Sequence, residues 1–212
     1  MKLIIFDFDG TLADTNSLVL KLAKEKFDEF EFDVESIESI KKKGLVKTLA
    51  DAGVSYFKMP SIISDLQEDM YQRIGEVKFF PGTETLVKKL KKEGFILTIL
   101  THNKKKTVER FLKEHQIDIF SGVYDTSIFL KKHRKIKKII KKHRLTKEET
   151  LVVGDQPSDI MAGKMAKTKT VAVDWGLFGE DALLKAEPDK IVSDPFEIYD
   201  FIIKESLKEK EK

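Results

Sequence analysis

The chain has 212 residues, with 39 basic and 36 acidic side chains, a formal net charge of +3 and no cysteine. The lack of cysteine excludes disulfides and thiolate metal sites, and the near balance of charge argues against a dedicated nucleic-acid binder, in which basic residues usually dominate. No apolar run approaches the ~20 residues of a membrane span, and the apolar start is too short and too acidic for a signal sequence, so we predict a globular cytoplasmic protein.

Five short apolar runs predict β-strands that are buried on both faces of a sheet. They cover residues 3–6, 95–100, 122–125, 151–154 and 171–175. Helical patterns lie between most of them, for example at 83–94 and 105–116. Alternation of strand and helix predicts an α/β fold with a doubly wound, Rossmann-like parallel sheet. Ligands of such sheets bind beyond the carboxyl ends of the strands.

One long interval breaks this alternation. Residues 16–78 show helical patterns and no convincing strand. The simplest interpretation is an α-helical cap domain inserted after the first strand and standing over the carboxyl end of the sheet. We therefore predict a catalytic core of residues 1–15 and 79–212 and a helical cap of residues 16–78.

Polar residues that suit phosphate chemistry follow several of the predicted strands. The first strand runs into Asp7 and Asp9, which share a face because strand side chains alternate, and their repulsion calls for a bound cation such as Mg²⁺. Thr101 ends the second strand, and Asp155 and Asp159 follow the fourth. With a nearby lysine, these residues supply metal ligands, a hydroxyl and a positive charge, which are the groups that phosphoryl transfer needs.

These motifs resemble those of the haloacid dehalogenase (HAD) superfamily. The segment DFDGTLADT, the strand-end Thr101, a downstream lysine and GDQPSD are similar to its four motifs, in the same order. The helical insertion is similar to the small cap of phosphoglycolate-phosphatase-like members. The resemblance implies an Mg²⁺-dependent phosphatase for a small phosphorylated metabolite, such as phosphoglycolate, a sugar phosphate or a nucleotide. We also expect a monomer or homodimer, and the balanced charge and short apolar runs predict no nucleic-acid or membrane partner.

The resemblance also implies roles for individual residues. Asp7 would be the nucleophile that becomes an aspartyl phosphate, and Asp9 the general acid and base, a residue that carbon-attacking dehalogenases lack. Asp155 would bind Mg²⁺ together with Asp7 and the backbone carbonyl of Asp9, while Asp159 would reach the metal through water or fix the lysine. The expected substrate contacts, besides the lysine, are Gly10, Thr11, Thr101, His102 and Asn103.

The catalytic lysine is the least regular of the motifs. Family members usually carry Lys-Pro at this point, whereas this chain reads FLKKHRKIKK without proline. We assign Lys131, because it precedes the amphipathic pattern of Ile136, Ile139 and Ile140, with Lys132 as the alternative. The basic residues of 135–144 are expected to form the solvent face of that helix, with a nucleic-acid surface as the alternative.

Besides a phosphatase, three other functions have to be considered for this sequence. The irregular lysine motif leaves open a non-catalytic phosphate-ligand sensor or protein-binding module on the same fold. A phosphomutase is disfavoured, because all four histidines, at 102, 115, 133 and 143, lie outside the predicted cap. A Schiff-base lysine, as in the phosphonate-cleaving branch of the family, stays open because the cap region contains many lysines.

Overall fold

Six parallel strands form one sheet at the centre of the protein. The structure, a computed structural model, describes residues 1–26, 39, 45–51, 53–126 and 132–210. The strands are β1 (Leu3–Phe6), β2 (Ile96–Thr101), β3 (Val123–Asp125), β4 (Thr150–Gly154), β5 (Lys169–Val173) and β6 (Lys190–Val192). Their order across the sheet is β3-β2-β1-β4-β5-β6, and every pairing is parallel.

Helices connect the strands along the chain. Within the described residues they are α1 (Thr15–Lys26), α2 (Leu45–Asp51), α3 (Met59–Arg73), α4 (Thr83–Lys92), α5 (Lys105–Glu114), α6 (Lys132–Lys142), α7 (Pro157–Ala166), α8 (Glu180–Leu184) and α9 (Pro195–Lys210). A 3₁₀ turn, Ile74–Glu76, follows α3 directly.

The sheet is covered on both faces, as the sequence predicted. Ile4 and Phe6 of β1 belong to an apolar cluster that also contains residues of α4, α5 and α9, whereas Leu3 and Ile5 pack in a second cluster with α6 and α7. Alternate residues of one strand therefore face opposite layers, which explains why β1 reads as a continuous apolar run. The doubly wound α/β fold is confirmed.

The sixth strand is the main difference from the prediction. Strand β6 has three residues, of which only Ile191 and Val192 are apolar, and it lies at the edge of the sheet beside β5. Such a short edge strand has almost no periodicity of its own, so its pairing with β5 defines it.

Residues 16–78 leave and re-enter the core at one place. Ala13 forms a bridge with Phe79, the backbone N–H of Asp14 donates to the carbonyl of Lys78 over 3.0 Å, and that of Phe80 donates to the carbonyl of Leu12 over 2.9 Å. The described part of this insertion contains α1, α2, α3 and the 3₁₀ turn. Residues 27–38, 40–44 and 52 of it lie outside the described residues. The division into core and cap stays a prediction.

The insertion shares an apolar cluster with the rest of the protein. Leu18 of α1 and Leu66 of α3 belong to the same cluster of buried side chains as Phe111 of α5. Across the described ranges, none of the helices combines the length and the apolar character that crossing a bilayer would require.

Candidate active site

The carboxyl ends of β1, β2 and β4 bring the predicted site residues together. Asp7 directly follows β1 and Asp155 directly follows β4, and these two strands are neighbours in the sheet. The backbone N–H of Asp7 donates to the carbonyl of Val153 over 2.8 Å, which continues the ladder by one residue. Thr101 is the last residue of β2, on the other side of β1.

Three carboxylates form a buried cluster at this edge. Asp7, Asp155 and Asp159 each place a carboxylate oxygen within 4.8 Å of the other two. Asp7 is 3% exposed, and Asp155 and Asp159 are fully buried. Lys132 is also buried, and its ammonium donates to Asp7 Oδ1 over 3.0 Å and to Asp159 Oδ1 over 2.6 Å.

The structure brings Lys132, the alternative to Lys131, to the carboxylates, and the choice between the two lysines for the catalytic role stays a prediction. Lys131 lies outside the described residues, whereas Lys132 begins α6 and reaches the carboxylates. The physical reason is helical periodicity. Lys132 lies four residues before Ile136, so it shares the buried face of α6, whereas the residue four positions after Lys131 is Lys135, which lies outside that face.

The beginning of α7 fixes Asp159. Pro157 occupies the first turn, and the Asp159 carboxylate accepts from the backbone N–H of Gln156 over 3.2 Å as part of a capping box. A Cβ at Gly154 would collide with the Asp159 side chain, so glycine at the end of β4 makes room for it. One carboxylate oxygen of Asp159 therefore accepts from the backbone N–H at the start of α7, and the other accepts from Lys132.

Asp155 is held by groups from two loops. The Thr11 hydroxyl donates to its Oδ1 over 3.2 Å, and the backbone N–H of Leu177 donates to its Oδ2 over 2.8 Å. Gly10 adopts a φ of +75°, and a Cβ there or at Gly176 would collide with Asp155. Both glycines therefore allow the backbone to approach this carboxylate closely.

Asp9 belongs to a separate hydrogen-bonded group. Its carboxylate accepts from the Thr101 hydroxyl over 2.9 Å and from the Asn103 side-chain amide over 3.0 Å. Asn103 is buried, and its amide also contacts Met70 Sδ of α3 at 2.8 Å. His102 is turned towards the end of β3, where its Nδ1 donates to the carbonyl of Thr126 over 2.9 Å. Substrate contact by Gly10, Thr11, Thr101, His102 and Asn103 stays a prediction.

Burial and mutual repulsion raise the pKa values of two of the clustered carboxyls. Burial, reinforced by Asp159, raises the pKa of Asp155 to about 7. Burial and Asp159 also raise the pKa of Asp7 well above its usual range, although Lys132 opposes this shift. Burial alone would lower the pKa of Lys132, but attraction to Asp159 and Asp7 outweighs it and raises that pKa. The lysine therefore stays charged.

The cluster fits a hard divalent cation. Three buried carboxylates face one ammonium, so negative charge is in excess in a region without solvent. The donors are all oxygens, the ligand type that Mg²⁺ prefers, and a bound cation would offset the repulsion that raises the carboxyl pKa values. Asp7, Asp155 and Asp159 are the residues that could hold it.

The sequence matches the haloacid dehalogenase-like hydrolase family over residues 4–173, a range that contains every residue of this cluster. The chain belongs to this family. It is 26% identical to a phosphoglycolate phosphatase of Synechococcus elongatus over 202 residues, which cover 93% of the chain and 95% of that protein. It is 32% identical to the pyrophosphatase PpaX of Bacillus velezensis over 198 residues, 88% of the chain and 89% of that protein.

Solved structures share the fold. A haloacid dehalogenase-like hydrolase of Streptococcus pneumoniae superposes with a TM-score of 0.79 at 23% identity, over 95% of this chain and 98% of that one. Family and relatives confirm the expected enzyme class. The protein is a HAD-like phosphoric monoester hydrolase.

Two hydrogen bonds at the site were not predicted from the sequence. The backbone N–H of Leu177 binds Asp155, and the Trp175 indole N–H donates to the carbonyl of Thr11 over 3.1 Å. The first carries no sequence signal, since any residue has a backbone N–H. The second could have been suspected, because Trp175 lies two residues after the end of β5, at the edge of the sheet where ligands bind.

Proposed function

We propose that the protein is an Mg²⁺-dependent phosphatase that hydrolyses a small phosphomonoester through an aspartyl phosphate on Asp7. The observation that carries this proposal is the buried contact of Lys132 with Asp7 at 3.0 Å inside a cluster of three carboxylates. Attack by a carboxylate on phosphorus divides one difficult displacement into two easier ones.

In the first step, an oxygen of Asp7 forms a bond to the substrate phosphorus while the bond from phosphorus to the ester oxygen breaks. Asp9 gives a proton to the departing oxygen, and general acid help of this type is worth roughly 10²–10⁴-fold. Thr101 and Asn103 bind the carboxylate of Asp9 and so restrict its orientation. The alcohol leaves and the phosphoryl group stays on Asp7.

In the second step, Asp9 accepts a proton from water as the water oxygen attacks phosphorus. The bond between phosphorus and Asp7 breaks, which releases phosphate and restores the carboxylate. Lys132 lies between Asp7 and Asp159 and places positive charge beside the reacting oxygens in both steps. Mg²⁺ held by Asp7, Asp155 and Asp159, with the backbone carbonyl of Asp9, would supply further charge neutralisation for the phosphoryl oxygens.

The substrate class follows from the relatives and the family. One relative is named a phosphoglycolate phosphatase and another a pyrophosphatase, so we infer a small phosphorylated metabolite for this chain. Helix α3 of the inserted segment reaches the site, since Met70 contacts the side chain of Asn103. Side chains of this segment would then select the substrate.

The alternative of a non-catalytic sensor rested on the irregular lysine motif. Lys132 in contact with both carboxylates supplies the basic side chain that this motif needs, and this favours an enzyme. A mutase stays disfavoured, because no histidine lies in the predicted cap of residues 16–78.

The test is phosphate release from p-nitrophenyl phosphate, acetyl phosphate, phosphoglycolate and pyrophosphate, with Mg²⁺ or with EDTA. Asp7→Asn should reduce Mg²⁺-dependent turnover by roughly 10³-fold or more, because the amide cannot form the acyl phosphate. Asp125→Asn, at the exposed end of β3, is the matched control and should keep wild-type rates. A folded wild type that binds these ligands without turning any of them over would instead establish the sensor.

A further inference from the structure

One segment of the chain is strongly basic. Residues 131–147 contain ten lysines and arginines and no aspartate or glutamate. The rest of the chain then holds 29 basic and 36 acidic residues, a net charge of −7. The net charge of +3 for the whole chain does not show that one segment is basic and the rest is acidic. The prediction of no nucleic-acid partner was based on that net charge.

Helix α6 presents five of these charges on one face, and Arg144 follows two residues after its end. The helix buries Lys132, Ile136, Ile139 and Ile140 against the sheet. From residue 133 to 144, every position that is exposed is a lysine or an arginine, namely Arg134, Lys137, Lys138, Lys141, Lys142 and Arg144. We call these six residues the basic face.

Within the described residues, no carboxylate neutralises the charges of the basic face. Lys142 donates to the Tyr124 hydroxyl over 2.9 Å, and none of the six residues pairs with a carboxylate anywhere in the described ranges. Elsewhere, exposed lysines do pair, for example Lys88 with Glu84 and Lys106 with Glu68. Like charges at this spacing on a helix repel one another, so the basic face gains most from an external anion.

The basic face is a linear stripe. Residues 134, 138 and 141 follow one another at four and three positions, which places them along one side of the helix over roughly 10 Å. A nucleic acid offers a comparable line of charge, with one phosphate per about 1.7 Å of duplex axis. Several phosphates could therefore face the stripe at once.

The residue types of the basic face favour nucleic acid over other anionic partners. Protein interfaces depend on buried aromatic or apolar anchors and are poor in lysine, and the basic face has no apolar residue. A helix that binds a membrane inserts its apolar side, but the apolar side of α6 is already buried in the core. We propose that the basic face of α6 binds the phosphate backbone of nucleic acid without reading its sequence.

The experiment is fluorescence anisotropy of labelled single-stranded RNA and duplex DNA of mixed sequence, titrated with the full-length protein between about 50 and 200 mM salt. The wild type should bind both, and its affinity should fall by roughly 10²–10³-fold across that range as counterions are released. The triple variant Lys137→Gln, Lys138→Gln, Lys141→Gln should reduce the magnitude of the logarithmic salt slope by about 2 to 3.

The matched control is Lys91→Gln, Lys92→Gln, Lys113→Gln. It removes the same charge from exposed positions on α4 and α5, which pack on the opposite face of the sheet, and should bind nearly as the wild type does. Both variants should keep wild-type thermal stability and p-nitrophenyl phosphate turnover, so this result does not depend on the proposed phosphatase activity.

Three results would overturn the proposal: no binding at the lowest salt, equal losses in the two variants, or displacement of the RNA by polyglutamate as readily as by unlabelled RNA. The last of these would show a surface for acidic polypeptides.

Discussion

At the scale of single residues, Gly10 controls how closely the first loop approaches Asp155. We predict that Gly10→Ala impairs turnover and weakens the apparent affinity for Mg²⁺. The added Cβ would collide with the Asp155 carboxylate, and the left-handed φ of +75° adds strain. Steady-state rates across an Mg²⁺ titration, together with thermal melts, measure both effects.

Gly94→Ala is the control for this prediction. Gly94 also has a left-handed φ, of +88°, but a Cβ there meets no atom within 4 Å. It should lose stability through strain, by about 1 kcal/mol, and keep its activity. Equal effects on activity in both variants would show that backbone strain, and not displacement of Asp155, causes the loss.

At the scale of the element, the register of α6 decides which lysine reaches the site. We predict that Lys132→Met lowers turnover by at least ~10²-fold and destabilises the protein by about 3 kcal/mol, because it leaves two buried carboxylates without their cation. Methionine approximately preserves the volume of the apolar part of the lysine side chain. Kinetics with p-nitrophenyl phosphate and urea unfolding would measure the two losses.

Lys131→Met should retain most of the activity, since Lys131 lacks the four-residue sequence spacing to Ile136 that Lys132 has. Lys135→Met, on the same helix, tests for a general effect of removing charge. A larger loss in Lys131→Met than in Lys132→Met would return the assignment to Lys131.

Elements with strong periodicity were predictable, and those defined by their neighbours were not. The run 3–6 reads as a buried strand, and Asp7, Asp155 and Asp159 could be placed together because parallel strands end at one edge. Strand β6 could not be predicted, since two apolar residues are too few to show the alternation of a strand. The backbone donor to Asp155 at Leu177 depends on a loop conformation that residue types do not encode.

The pattern around the two lysines also contained evidence for Lys132, which the structure places beside the carboxylates. Lys132 has the four-residue spacing to Ile136 that defines the buried face of α6. Weighing the helical face, and not only the start of the pattern, would have selected it. The roles of Asp9 and Thr101 were inferred from the resemblance, whereas their direct hydrogen bond required the structure.

At the scale of the whole molecule, the carboxylate cluster links stability to pH and to metal. Burial raises the pKa of Asp155 from its usual 3.8 to about 7 and that of Asp7 in the same direction. Between pH 3.8 and about 7, folded Asp155 holds a proton that the unfolded state has released. The stabilisation of the fold by this proton is therefore complete below about pH 4 and is lost as pH rises through about 7.

We predict that the protein in EDTA melts at a lower temperature at about pH 8 than at about pH 5, and that excess Mg²⁺ stabilises it more at the higher pH, where it does not compete with protons. Thermal melts over this range measure both trends. Asp155→Asn cannot ionise and should show a shallower pH dependence in EDTA and a smaller Mg²⁺ effect than Asp125→Asn. Stabilisation by Mg²⁺ that is the same at every pH would contradict the prediction.

The hydrogen-bonded backbone at residues 13–14 and 78–79 would allow the inserted segment to be replaced by another. Because the two ends of the inserted segment are hydrogen-bonded neighbours, the core already holds them together and the entropy of closing a loop between them is small. A segment of different length or fold could be grafted there without moving β1 or Asp7. The graft would have to cover the apolar surface around Phe111, which is now shielded in part by Leu18 and Leu66. Catalysis and substrate choice can therefore diverge separately within one polypeptide.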